Sequence, residues 1–171
     1  MTNVKDIPLD AFVRRISTAA EHLFVKNNFV LSPMFVGQRA NGEPVTVVID
    51  PAMTKDETAA RMRAIAAELD LVRCAYVDEA WLAEVKMDTP ERKARGAIEI
   101  AIMNRIGVKH HPERREAIII SAEDHTGGLM GVRYILRPEH GKPSLSPLQI
   151  DRWDNSEGRF VGLLPQRGTR Q

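Results

Sequence analysis

The chain has 171 residues, of which 43% are hydrophobic and 27% charged. That composition excludes a wholly disordered or low-complexity polymer and suits one domain with a core of its own. Lys+Arg total 24 and Asp+Glu total 23, a net charge of +1, which argues against a dedicated nucleic-acid binder. The one cysteine, Cys74, cannot form an internal disulfide. The N-terminal "MTNVKDIPLD" lacks a signal-peptide core, and no apolar run approaches the roughly 20 residues that span a bilayer. The expectation is a cytoplasmic protein with no membrane partner, a single domain over residues 1–165 and a flexible tail over 166–171.

In chain order, residues 8–27 predict a helix. Leu9, Phe12, Val13, Ile16, Ala20, Leu23 and Phe24 recur at helical spacing, and the asparagines of "KNNF" suit a left-handed stop. Asn41-Gly42 between two apolar runs predicts a hairpin of strands near 33–39 and 44–50. Thr54 followed by Glu57 is a capping box, so 54–69 predicts a second helix with Ala59, Met62, Ile65, Ala66 and Leu69 buried. "VRCAYVDEAWL" predicts a strand near 72–82, with Cys74, Tyr76 and Asp78 on one side and Val77, Glu79 and Trp81 on the other.

The stretch 90–106 carries two patterns. Ile98, Ile100 and Ile102 alternate as in a strand. Thr89 as a cap, Pro90 at the first turn and Gly107 at the stop favour a helix, with Ala94, Ala97, Ile98, Ala101, Ile102 and Ile106 toward the core and Ile100 and Met103 projecting. Beyond it, "EAIIISA" (116–122) and "LMGVRYILR" (129–137) predict an antiparallel hairpin through a 123–128 turn. "PEHGKPSLSP" is a proline-rich loop, and "QIDRW" with "RFVGLL" a closing hairpin. The fold class that follows is α+β: a mainly antiparallel sheet of hairpins and a meander, with two or three helices packed on one face.

The residues that could carry chemistry are scattered. Adjacent His110 and His111 point to opposite sides of an extended segment and make a poor chelate. Glu123 and His125 could form a carboxylate–imidazole pair for acid–base work, in a stretch that reads first as a solvated turn. Glu84 and Lys86 have the E-x-K spacing of metal-dependent nucleases, with Asp50 or Asp70 as the upstream acid. The strongest candidate is a polar cluster of Glu79, Trp81, Arg114, Arg115 and Arg133, joined by Arg137, on which Glu79 should pair with at least one arginine. Cross-strand charge pairing on a solvated face accounts for the same residues. No metal-ligand spacing, glycine-rich phosphate loop or activated nucleophile is recognisable, so no cofactor is expected.

The pair "YVDEAW…HPERREAIIISAED" resembles small uncharacterised bacterial and phage-encoded proteins with an E-A-W strand followed by a proline, "RRE" and a strand ending in an acid. The resemblance covers 72–84 and 111–124 and implies no activity. This chain departs from it by carrying 90–106 between the two motifs. Two function classes stay open: a non-catalytic binding or interaction protein acting as a homo-oligomer, and a small metal-dependent hydrolase or nuclease using sheet carboxylates and arginines. The missing nucleophile and metal spacings favour the first. An apolar arm over 90–106 without an internal partner leads to the expectation of a homodimer.

Overall fold

A computed structural model describes residues 7–83, 85, 87–152 and 162–164. It has the expected α+β class. Three helices, α1 (Leu9–Lys26), α2 (Lys55–Glu68) and α3 (Pro90–Ile106), accompany strands β1 (Met34–Arg39), β2 (Pro44–Val48), β3 (Leu71–Leu82), β4 (Arg115–Asp124), β5 (Gly127–Leu136), β6 (Ser144–Leu145) and β7 (Gln149–Arg152). The strand order is β2-β1-β3-β4-β5. Both β6 and β7 pair with the outer edge of β5, and the pairings are antiparallel throughout. Among the described residues no helix is long and apolar enough to cross a membrane.

Local chemistry explains the punctuation. Gly42 sits at φ 89° and its N–H donates to the Arg39 carbonyl, the left-handed turn position that glycine occupies without strain. The Thr54 hydroxyl accepts from the Glu57 N–H at 3.2 Å and the Glu57 carboxylate accepts from the Thr54 N–H at 2.7 Å. The β4–β5 turn is tighter than the sequence suggests. Asp124 already pairs with Gly127, so the turn is His125-Thr126 alone, fixed by the Asp124 carboxylate accepting from the Thr126 N–H and hydroxyl. Glu123 therefore belongs to the strand. In the proline-rich loop, Ser144–Leu145 adds a short pairing to β5. Of the expected closing hairpin, β7 is formed, on β5, while most of "RFVGLL" lies outside the described residues.

Alternation along the strands sends successive side chains to opposite faces. Ala75, Val77, Ile118, Ile120 and Ala122 meet Leu9, Phe12, Val13, Ile16, Ala20 and Phe24 of α1. Six such α1 side chains supply of order 10 kcal/mol of burial before chain entropy is subtracted. A Cβ on Gly131 of β5 would stand 2.9 Å from Val13 Cγ1, so α1 lies directly on the strand. The other face carries Phe35, Leu71 and Cys74 against Met62 and Ala66 of α2 and against Leu163. The helices thus divide between the two faces instead of sharing one, because both faces of β1 and β3 are apolar.

The stretch 90–106 is helical, as its caps require: the Thr89 hydroxyl accepts from the Arg92 N–H and Gly107 terminates the helix at φ 89°. Its orientation differs from the expected one: Ile100 projects as read, at 38% exposure, but Met103 is half-buried and the expected core face is exposed. Gly96 is its one buried residue. Ile98, Ile102 and Ile106 are 63%, 50% and 49% exposed. Gly96 packs against the side chains of Val85 and Met87. Leu23, expected inside α1's stripe, is likewise exposed.

Candidate functional site

The predicted polar cluster divides when placed on the sheet. The β3–β4 register sets Glu79 opposite Ile118 and Trp81 opposite Glu116, on the α1 face. Arg133, opposite Ile118, shares that face. Arg115 points to the other face, where its guanidinium stacks on the Tyr134 ring 3.6 Å from the centroid. Arg114 lies over the Trp81 ring at 5.3 Å, half of that ring remaining in solvent.

Among the described residues Glu79 pairs with no arginine. Among the described ion pairs, Arg133 takes Glu21 of α1 and Arg137 takes Glu116. Arg137 holds both Glu116 oxygens, each at 2.8 Å, with Nε and a terminal nitrogen, the fork geometry that suits arginine. Glu79 instead accepts the Leu31 N–H at 2.7 Å. The expectation fails because the α1–β1 turn brings an unpaired backbone donor closer than any guanidinium. Burial is the main reason the Glu79 carboxyl is raised above its usual pKa, with the Glu116 charge adding to it; the Leu31 N–H and Arg137 oppose.

This group of residues clamps the turn after α1. Asn28 and Phe29 both adopt left-handed φ, 58° and 64°, which costs a bulky residue such as Phe29 about 1–3 kcal/mol. The conformation is held from three sides. The Phe29 N–H donates to the Phe24 carbonyl, its ring meets Phe24 edge-on at 5.7 Å, and its carbonyl accepts from Arg137 at 3.1 Å. The chemistry of Glu79, Glu116 and Arg137 is therefore spent on backbone groups and on one another.

Glu123 and His125 do not form an acid–base pair. His125 sits exposed in the turn, whereas Glu123 is buried on the α2 face and accepts from the N–H groups of both Gly162 and Leu164. Gly162 at φ 67° turns the chain so that the two donors converge on one carboxylate. Between them Leu163, 2% exposed, fills the apolar cluster beside Cys74. The Cys74 thiol is held well above its ordinary pKa by burial and by the Glu123 charge, the opposite of what a nucleophilic thiolate needs.

One titratable pair was not singled out by the sequence. The Tyr76 hydroxyl donates to Asp78 at 3.1 Å on the α2 face. Burial raises both, Tyr76 above the ordinary phenol range and Asp78 above the usual carboxylate value. Their i, i+2 spacing on a strand was the available signal. Among the described residues no three His, Cys, Asp or Glu side chains converge where a metal ion could sit. His111 uses Nδ1 to accept the Glu113 N–H within its own loop. Glu84 and Lys86 lie outside the described residues.

A cleft of about 460 Å³ runs between α3 and the end of the sheet, lined by Arg92, Arg95, Glu99, Glu113, Arg115 and Tyr134. Opposite charges face each other in it, and Arg92 is already held by both oxygens of Asp88 at 2.8 Å. So α3 turns Gly96, Glu99 and Met103 toward the body and leaves its isoleucines in solvent, unlike the usual arrangement of a surface helix. No protein-family model, curated protein or solved structure matches the chain.

Proposed function

We propose that this is a non-catalytic interaction protein that works as a homo-oligomer, with α3 supplying the contact surface. One observation carries the reading: a capped helix of 17 residues buries only a glycine while three isoleucines at i, i+4 and i+8 stand in solvent. Scattered exposed apolar residues are ordinary, but an aligned stripe is the pattern of a surface awaiting a partner. Burial on a second copy offsets the exposure, and the commonest such assembly is two-fold. The supporting residues are Ile98 and Ile102 in place of Ile100 and Met103. The buried free thiol of Cys74 fits a reducing, cytoplasmic setting.

The test is oligomeric state. By light scattering the wild-type chain should show twice the chain mass at high micromolar concentration. Ile98→Asp combined with Ile102→Asp should give a folded monomer, because those side chains touch little of their own body. A wild-type chain that stays monomeric at high concentration would refute the proposal, as would a double variant that still associates.

A further inference from the structure

The α3 stripe has a polarity along its length. At 3.6 residues per turn, Glu91, Ala94, Ile98, Ala101, Ile102 and Arg105 share one side of the helix, and Gly96 faces away from it into the body. Glu91 is the acid of the first turn and Arg105 the base of the last. Ala94 and Ile102 lie equally far from Ile98 in opposite directions, one small and one large. Read backwards, the stripe complements itself.

Resting on the reading of α3 as the self-association surface, we infer that two copies pair through antiparallel α3 helices about a two-fold axis at Ile98. Each Ile98 meets its counterpart. Each Ala94 makes room for the other copy's Ile102, so large side chains fill the gaps left by small ones. Each Glu91 faces the other copy's Arg105, which gives two symmetric ion pairs at the rim. A parallel pair sets Glu91 against Glu91 and Arg105 against Arg105, which is repulsive at both ends. The helix dipoles add the same preference, since antiparallel helices place opposite ends together.

Site-specific cross-linking tests the register. Cys74 is the one cysteine and is buried, so Ile98→Cys introduces a single accessible thiol. Helices packed at the usual interaxial distance bring facing Cα atoms to roughly 4–6 Å, within disulfide reach. Ile98→Cys should therefore convert to a covalent dimer on mild oxidation. Ile106→Cys should not, because its counterpart lies about 24 Å along the pair. Glu91→Arg should weaken association roughly tenfold, and Glu91→Arg with Arg105→Glu should restore it. A dimer by sedimentation that fails to cross-link at position 98, or links as readily at 106, overturns the register and leaves the surface assignment standing. A monomer by sedimentation overturns both.

Discussion

Helices α1 and α3 are nearly equal in length, 18 and 17 residues, and each carries apolar residues at three- and four-residue spacing. One buries seven residues, Leu9, Phe12, Val13, Ile16, Ser17, Ala20 and Phe24; the other buries Gly96 alone. Periodicity establishes that a helix has an apolar side. Whether that side meets its own body depends on whether apolar sheet surface is free where the helix lands. The central strands offer α1 the row Ala75, Val77, Ile118 and Ile120. Where α3 lands, the body offers no such row: the cleft beside it is lined from the body by Leu82, Glu113, Arg115 and Tyr134, and Gly96 meets Val85 and Met87. The same kind of stripe becomes core in one case and outer surface in the other.

Substitutions should separate the two helices most sharply. Phe24→Ala on α1 should lower unfolding free energy by about 3–5 kcal/mol, the range for emptying a buried aromatic site. Ile98→Ala on α3 should change it by less than about 0.5 kcal/mol when measured at concentrations where the chain is monomeric. Urea titration of both variants measures this. Equal losses would mean that α3 packs as α1 does.

The α2 face gives the next largest effect. Leu163→Ala should cost about 2–4 kcal/mol, and Glu123→Gln about 1–3 kcal/mol, because an amide nitrogen replaces one of two charged acceptors. Cys74 reports on both: its buried thiol should react faster with a disulfide reagent in either variant at concentrations of urea that leave α1 folded. If labelling instead tracks global unfolding, residues 162–164 are not a separately releasable cover.

Acid dependence distinguishes the clamp beside α1. In the folded chain Glu79 and Asp78 hold their protons above the pKa values they have when unfolded, because burial disfavours the charged forms. Between the unfolded and folded pKa values the folded state binds more protons, so this contribution falls as pH rises through the folded values. Below the unfolded values the penalty is absent. Glu79→Gln, which keeps an oxygen for the Leu31 N–H, should flatten the decline in urea midpoint as pH rises above the ordinary carboxylate range. A variant with the wild-type slope would place the dependence elsewhere. At the rim the loss is small: Arg114→Ala should cost about 0.5–1 kcal/mol through the lost contact with the half-exposed Trp81 ring.

Much of the fold was legible because local chemistry decided it. Asn41-Gly42, the Thr54–Glu57 box and the caps at Thr89 and Gly107 each act within a few residues, and each element formed as read. The candidate site was legible only as a set of residue types. Alternation placed Glu79 and Trp81 on one side of β3 correctly, but pairing depends on which donor the rest of the chain delivers. The Leu31 N–H arrives from a left-handed turn, and Gly162 and Leu164 reach Glu123 from about forty residues downstream. Neither is visible in a pattern of neighbours. The direction of α3 was missed for the same reason, since it is set by the surface beneath the helix and not by its own sequence.

Amide hydrogen exchange at several protein concentrations tests the central claim most directly, with α1 as the internal standard. An isolated helix of this length is marginal in water, so α3 should exchange rapidly in dilute solution. Its protection around Ile98 and Ile102 should rise as concentration increases, while that of α1 stays constant. Protection of α3 that is independent of concentration and matches α1 would contradict self-association through this helix.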